Sequence, residues 1–196
     1  MSEDFYLNIV DALVKDGYVV LTDALDSDLP SRLKSFAEHS EFKRAGISGA
    51  SDLHLDTQRR RDKIHWVNED NGVQSEFLNF TNELKDVLNR ELYLGLSYYE
   101  SHFAKYEEGD FYEKHVDAFK NSKNRIVTTV YYLNEQWDEK DGGELVIYDE
   151  NDELITKLAP YANTLVVFMS DRFPHEVLPA KKKRFSIAGW FRIDKS

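Results

Sequence analysis

Hydrophobic and polar residues follow two different periods along the chain, and the period changes near residue 95. Apolar residues in 3–15, 29–38 and 74–92 recur at the spacing of one helix face, which predicts an amphipathic helix in each segment. Gly17 follows the first of these segments and is expected to end it. The N-terminal half is therefore predicted to be mainly helical.

From about residue 98, short runs of β-branched and aromatic residues alternate with turn residues. Short strands at this spacing are typical of a β-sandwich or barrel. Strands are predicted at 98–106, 126–133, 144–149, 154–158, 164–169 and 184–193, with two further short strands at 18–21 and 63–67.

These elements predict an α+β fold. Nothing in the sequence reads as a linker or an internal repeat, so we predict a single domain over 1–196. In this domain, helices within 1–95 support a β-roll within 96–196. The polar, aperiodic segment 43–58 is predicted to be a loop, and a loop of that length is often functional.

Composition narrows the classes of function. The chain has 196 residues, a formal net charge of −11 and no cysteine. An acidic surface repels phosphate backbones and anionic membranes, so we predict no nucleic-acid partner and no membrane partner. The basic runs at 59–63 and 181–184 are interpreted as solvated faces. The acidic N-terminus does not resemble a secretory signal, and we predict a cytoplasmic protein without disulfides or thiolate sites.

A histidine and an aspartate two positions apart, His115 and Asp117, are the first candidates for chemistry. On a strand such residues point to the same face and could bind one cation. His175, which follows the apolar run 165–169, is the best candidate for a third ligand. Two histidines and one carboxylate form the facial ligand set of non-haem iron(II) oxygenases. The histidine–aspartate pair alone leaves a structural role open.

Arg184 could meet a second requirement of that chemistry, a cation for the cosubstrate. It lies in the predicted strand that follows His175. The facial ligand set leaves coordination positions that a chelating keto acid could occupy, and the far carboxylate of a keto diacid needs a cation. Arginine offers a two-pronged donor for a carboxylate and stays charged at any working pH.

Longer stretches around these residues resemble the prolyl hydroxylases of the 2-oxoglutarate/iron(II) oxygenase superfamily. The likeness is strongest to the oxygen-sensing type, which modifies hypoxia-inducible factor in animals, and to its bacterial relatives. The stretches are RRRDKIHWV at 59–67, KYEEGDFYEKHVD at 105–117, RIVTTVYYLNEQWDEKDGGELVIY at 125–148 and FMSDRFPHEVLPAKKKRFSIAGWF at 168–191. The resemblance implies a double-stranded β-helix (jelly-roll) core and a 2-oxoglutarate-dependent dioxygenase.

The resemblance also implies a set of cofactors and the residues that bind them. The cofactors are Fe(2+), 2-oxoglutarate as cosubstrate and O2, with ascorbate as a further candidate. His115, Asp117 and His175 match the iron ligands. Arg184 matches the arginine that pairs with the C5 carboxylate of 2-oxoglutarate, so these four residues are the predicted catalytic set.

Further residues match the family's pocket. Tyr106 matches a tyrosine that helps to hold the same carboxylate, whereas Tyr132 and Trp190 match pocket aromatics. Asp62 and Arg125 match a pair that tethers the 63–67 strand to the core. Ala188 departs from the animal enzymes, which have a polar threonine there, and the segment from Tyr106 to the first iron ligand is one residue shorter than theirs.

The implied substrate is a prolyl residue of a protein, which would become 4-hydroxyproline. The bacterial relatives suggest elongation factor Tu as the partner, and 43–58 and the C-terminal tail are the predicted substrate clamps. Two alternatives stay open: the same chemistry on a free amino acid or other small molecule, and a cupin-like metal- or ligand-binding module without turnover.

The remaining histidines and tryptophans have no partner at metal-binding spacing. They are interpreted as surface, satisfied polar or packing residues: His39, His54, His65, His102, Trp66 and Trp137. Gly142 and Gly143 are predicted to form a turn, because no helix begins after them to bind an anion.

Overall fold

A computed structural model describes residues 1–25, 28–44, 59–70, 72–118 and 124–194, and the backbone of 47–49 and 52–54. Its α-helices are α1 (Glu3–Lys15), α2 (Leu29–His39) and α3 (Gly72–Leu92), and a short 3-10 helix spans Glu139–Asp141. The α-helices confirm the helices predicted from the apolar spacing. Gly17, with a φ of 80°, lies directly beyond α1 in the left-handed region that favours glycine. No helix in the described residues is long and apolar enough to cross a bilayer.

The strands follow in chain order and include all of those predicted. They are β1 (Tyr18–Leu21), β2 (Lys43–Arg44), β3 (Ile47–Gly49), β4 (Asp52–His54), β5 (Lys63–Trp66), β6 (Tyr98–Tyr106), β7 (Tyr112–His115), β8 (Arg125–Tyr132), β9 (Leu145–Tyr148), β10 (Leu154–Leu158), β11 (Leu165–Met169), β12 (His175–Val177) and β13 (Arg184–Arg192).

Two antiparallel sheets carry the fold. The large sheet has the order β1-β11-β8-β13-β6-β5-β2, and the small sheet has the order β10-β9-β12-β7. The long strand β13 lies at the centre of the large sheet, paired with β6 on one side and β8 on the other. Three strands of the large sheet, β1, β2 and β5, come from the otherwise helical N-terminal half.

Two apolar cores hold the helices, the large sheet and the small sheet together. The helices pack on one face of the large sheet, where Leu33 and Leu84 meet Phe103 and Ile187. The other face of the same sheet packs against the small sheet through Val130, Tyr132, Leu145, Ile147 and Val177. Because side chains alternate across a strand, β6, β8 and β11 contribute to both cores. Their inward residues therefore point at the small sheet, where the predicted metal ligands lie.

The structure corrects three details of the sequence interpretation. The segment 43–58 is not a plain loop, since its described part includes β2 and the hairpin formed by β3 and β4. His175 does not merely follow a turn but begins a short strand, β12. The strand β7 ends at His115, so Asp117 lies just beyond it. The other positions of 43–58, and the last two residues of the chain, lie outside the described residues.

Candidate metal centre and active site

The three predicted metal ligands converge between the two sheets. The strands β7 and β12 are paired so that His115 lies directly opposite His175. Asp117 follows closely, with a carboxylate oxygen 3.7 Å from Nε2 of His115 and the other 3.5 Å from Nε2 of His175. One ligand atom from each residue lies within 4.8 Å of the others. This arrangement can hold one metal ion.

Backbone carbonyls set the tautomer of both histidines. Nδ1 of His115 lies 2.7 Å from the carbonyl of Glu113, and Nδ1 of His175 lies 2.9 Å from the carbonyl of Phe173. A carbonyl can only accept, so each Nδ1 carries the hydrogen. Each Nε2 therefore offers a lone pair to the shared centre, as a metal ligand must.

Asp117 is buried and is held by hydroxyl groups from behind. Thr128 donates a hydrogen bond of 2.9 Å to its carboxylate, and the hydroxyl of Thr128 lies 2.8 Å from that of Ser170. Burial by itself would raise the pKa of Asp117, but His175, His115 and Arg125 outweigh it and lower this pKa to about 2. The carboxylate is thus ionised at neutral pH.

His115 is held in place by a stack of side chains. Its ring lies 3.7 Å from the ring of Tyr112 at an angle of 18°, and the guanidinium of Arg60 lies 4.6 Å from the centre of the Tyr112 ring. Burial, followed by the positive charge of neighbouring His175, lowers the pKa of His115 to about 3. His115 is therefore neutral at physiological pH and ready to bind a metal.

A cavity opens beside the three ligands. Its walls come from both sheets. Besides the three ligands, the walls include Arg60, Asp62, His102, Ala104, Tyr106, Tyr112, Thr128, Val130, Leu145, Val177, Arg184, Ser186, Ala188 and Trp190. The predicted site residues Tyr106, Arg184 and Trp190 thus line the same cavity as the metal ligands.

Arg184 is the most unusual group in this cavity, because its side chain is 1% exposed. It donates to the carbonyl of Gly143 at 2.9 Å and to the hydroxyl of Ser186 at 3.2 Å. Within the described parts of the chain, no carboxylate lies within ion-pair distance of it. A buried cation normally has an anionic partner, so the site suits the carboxylate of a ligand.

Two tyrosines flank the Arg184 guanidinium. The ring centres of Tyr106 and Tyr132 lie 4.8 Å and 5.1 Å from it. The hydroxyl of Tyr132 is buried and has no hydrogen-bond partner among the described residues. Burial raises the pKa of Tyr132 to about 12, so its hydroxyl keeps its proton and can donate to an anion.

Gly142 and Gly143 do not form the predicted turn: they follow a short 3-10 helix at Glu139–Asp141, and Gly142 pairs with Ala180 in an isolated bridge. Both residues have positive φ angles of 70° and 71°. A Cβ added to Gly143 would lie 3.2 Å from Cδ of Arg184 and 3.0 Å from the side chain of Ala180. The glycine therefore lets the backbone approach the arginine closely enough to accept its hydrogen bond.

One predicted pair is wrong. Asp62 binds Arg60 with two hydrogen bonds, of 2.5 Å and 2.8 Å, whereas Arg125 lies 3.6 Å from Glu100 and 3.8 Å from Asp117. Arg125 also covers the ring of Trp190 at 3.7 Å. Asp62 therefore pairs with a residue of its own segment and does not tether the 63–67 strand to Arg125. Arg60 was interpreted as part of a solvated basic face, but its side chain is only 11% exposed.

His102 was missed as a site residue. It is buried, lines the cavity and has no hydrogen-bond partner at Nδ1 in the described residues. The prediction that His39 and His65 are satisfied polar residues is confirmed, since their ring nitrogens contact the carbonyls of Ser35 and Glu41. The side chain of His54 lies outside the described residues.

The two tryptophans that were interpreted as packing residues differ in environment. Trp137 is buried and donates to the carbonyl of Gly142, whereas Trp66 is half-exposed beside His102.

Comparison with known proteins agrees with this geometry. The model of the 2OG-Fe(II) oxygenase superfamily matches residues 101–192. A prolyl-4-hydroxylase from Pseudomonas putida superposes with a TM-score of 0.88 and 33% identity, covering 97% of this chain and 100% of that one. This chain belongs to the prolyl hydroxylase family of the 2-oxoglutarate/iron(II) oxygenases. The predicted double-stranded β-helix fold is thereby confirmed.

Animal members of the prolyl hydroxylase family are also similar. Prolyl hydroxylase EGLN3 of Mus musculus is 35% identical over 155 residues, which are 74% of this chain and 62% of that protein. Hypoxia-inducible factor prolyl hydroxylase of Caenorhabditis elegans is 46% identical over 90 residues, which are 45% of this chain and 12% of that protein. The chain thus spans less than two thirds of these curated relatives.

A solved prolyl hydroxylase from Trichoplax adhaerens, in complex with a hypoxia-inducible factor oxygen degradation domain peptide, has a TM-score of 0.83 and 26% identity. The superposition covers 97% of this chain and 90% of the Trichoplax adhaerens chain.

The family requires Fe(2+), 2-oxoglutarate and O2. The residues present fit these groups, because the three convergent ligands suit iron(II) and the buried, acid-free Arg184 suits a dicarboxylate.

Proposed function

We propose that this protein is a 2-oxoglutarate- and iron(II)-dependent dioxygenase that hydroxylates a prolyl residue of a protein substrate to 4-hydroxyproline. One observation carries the proposal. The cavity that contains the three metal ligands also contains Arg184, a buried guanidinium without an acidic partner in the described residues. A metal site for another purpose would not need such a group.

In this proposal His115, Asp117 and His175 hold iron(II). Arg184 binds the C5 carboxylate of 2-oxoglutarate, and the free hydroxyl of Tyr132 donates to the same carboxylate. Tyr106, to which the family resemblance assigned this contact, lines the cavity with its ring centre 4.8 Å from the guanidinium and stays a second candidate donor.

Iron(II) and 2-oxoglutarate, when bound, supply the oxidising power: one oxygen atom of O2 enters a C–H bond as hydroxyl, the other enters succinate, and CO2 is released. The chain supplies coordination, orientation and shielding. The ionised Asp117 lowers the net charge at the metal. The apolar side chains of Val130, Leu145 and Val177 line the cavity and exclude water from it.

A peptide substrate is supported by the outer part of the site. Trp66 is 51% exposed and its ring lies 5.2 Å from that of His102, which lines the cavity. An exposed aromatic next to a residue that lines the cavity is a contact that a polypeptide can use. The relative from Trichoplax adhaerens is in complex with a peptide. Elongation factor Tu is the partner that the resemblance to bacterial relatives favours, and 43–58 stays a candidate clamp.

Two other functions use the same fold. A free amino acid hydroxylase would select its substrate by charged side chains inside the cavity. Two charged residues of the cavity wall, Asp62 and Arg60, already bind each other, which argues against that function. A cupin-like module without turnover would not need Arg184. Ascorbate binding stays a prediction.

The test is a lysate experiment. The protein is incubated with iron(II), ascorbate and 2-oxoglutarate in an extract of the source organism, and mass spectrometry searches for the gain of one oxygen atom on prolyl residues. The His175→Ala variant is the control. We expect proline hydroxylation with the wild type alone. Succinate formed without any modified protein would favour a small-molecule substrate, and absence of succinate would favour the module without turnover.

A further inference from the structure

His102 occupies the cavity wall at a defined level of the large sheet. It lies on β6 directly opposite Ala188 on β13, while Tyr106 of β6 lies opposite Arg184. The four residues therefore belong to one inward-facing surface. Ala188, whose side chain is small, lines the same cavity as His102.

The hydrogen-bonding state of His102 follows from its neighbour. A guanidinium nitrogen of Arg60 lies 3.3 Å from Nε2 of His102. Arginine can only donate, so Nε2 accepts and the hydrogen of the neutral ring lies on Nδ1. Burial, followed by the positive charges of Arg60 and Arg125, holds the pKa of His102 well below its ordinary value, so the ring is neutral.

That Nδ1–H group has no acceptor. It is buried and has no hydrogen-bond partner among the described residues. Buried donors are nearly always paired, so an unpaired donor in a cavity wall points to an oxygen that a ligand brings. The positive charge of Arg60 behind the ring favours an anionic oxygen over a neutral one.

The pairing of β6 with β13 places His102 along the same cavity wall as Arg184. The guanidinium of Arg184 reaches Ser186, where it donates to the hydroxyl at 3.2 Å. From Ser186 to Ala188, the partner of His102, the strand advances about 7 Å. A dicarboxylate held at one end by Arg184 can therefore extend along this wall and place its other end at the level of His102.

We propose that His102 is a positioning residue for 2-oxoglutarate, whose C1 carboxylate accepts a hydrogen bond from Nδ1–H of its imidazole. The inference rests on the proposed cosubstrate. It gives the dicarboxylate one donor site at each end: Arg184 with Tyr132 at C5, and His102 at C1. Arg60 then acts through His102, because its hydrogen bond fixes the tautomer.

Three substitutions separate this role from simple packing. His102→Asn keeps an amide N–H close to the position of Nδ1. His102→Gln keeps an acceptor for Arg60 near Nε2 but no donor at the δ position. His102→Met fills the space without either group. His65→Met, which removes an imidazole from the next strand, outside the cavity, is the matched control.

Calorimetric titration of the Mn(II)-loaded protein with 2-oxoglutarate gives the readout without turnover. We expect the dissociation constant to rise about tenfold or more for His102→Met and His102→Gln, and to stay within about threefold for His102→Asn and His65→Met. Equal affinity of His102→Met and the wild type would overturn the inference, as would a His102→Asn protein as weak as His102→Met.

A second measurement needs no variant. Nitrogen-15 NMR of the wild-type imidazoles should show His102 neutral with its proton on Nδ1, and that resonance should shift when 2-oxoglutarate is added. An unchanged resonance in a protein that binds 2-oxoglutarate contradicts the role of His102. A wild-type protein that does not bind 2-oxoglutarate contradicts the proposed function itself, so the two failures are distinguishable.

Discussion

Thr128 donates a hydrogen bond of 2.9 Å to the carboxylate of Asp117, and both side chains are buried. A hydroxyl behind a metal-binding carboxylate orients it and keeps it ionised. The side chain of the next residue, Thr129, points to the opposite face of the sheet, where its hydroxyl contacts that of Tyr99 at 2.7 Å. Two adjacent threonines thus serve the metal site and the helical core separately.

This relationship predicts that Thr128→Val weakens iron(II) affinity about tenfold or more, because loss of a hydrogen bond to a ligand typically costs that much. Competition with a chromogenic chelator measures the affinity. Thr129→Val removes a hydroxyl of the same size and should leave iron affinity unchanged. Equal affinities of the two variants would contradict the role of Thr128.

Arg184→Lys should raise the dissociation constant for 2-oxoglutarate by about 10- to 100-fold. Lysine keeps the charge but loses the planar, two-pronged donor and the hydrogen bond to Gly143. Titration of the metal-loaded protein measures the effect. Arg192→Lys, on the same strand but paired with Glu100 at 2.7 Å, is the control and should bind 2-oxoglutarate normally.

Gly143→Ala should weaken 2-oxoglutarate binding at least tenfold, because the added Cβ crowds Cδ of Arg184 and displaces its guanidinium. The backbone strain of a positive φ accompanies this substitution. Gly95→Ala carries the same strain, at a φ of 67°, with no heavy atom within 4 Å of the added Cβ. Both variants should lose stability in thermal melts, but only Gly143→Ala should lose affinity.

The metal-free protein should lose stability as the pH falls below about 6.5. The unfolded chain binds a proton at His115 near its ordinary pKa of 6.5, whereas the folded chain binds it only near a pKa of about 3. Between these values the unfolded state holds more protons, so its free energy falls relative to the folded state as the pH is lowered. The slope is up to about 1.4 kcal/mol per pH unit for one histidine.

Buried His102 acts in the same direction, because its pKa is also lowered in the fold. Denaturant unfolding at a series of pH values, with a chelator present, measures the slope. His115→Gln should unfold with a shallower pH dependence over the same range. Parallel curves for this variant and the wild type would show that His115 titrates normally in the fold.

The sequence by itself determined the elements and the chemical set. Helix and strand periods are local, so α1, α2, α3 and the long strands could be predicted within a residue or two of their bounds. His115 and Asp117 share one short segment, and His175 and Arg184 follow one another along the last strands. These four residues lie together in the fold as their spacing and the family resemblance implied.

Only the tertiary structure decided which groups surround them. Thr128 and Asp117 lie in different segments, and nothing in either segment indicates that they meet. Arg60 belongs to a basic run that looks solvated, yet its partner Asp62 and the ring of Tyr112 bury it. His102 looks like one more polar strand residue. Its unpaired Nδ1 follows from the pairing of β6 with β13 and the approach of Arg60, which are long-range contacts that no local period encodes.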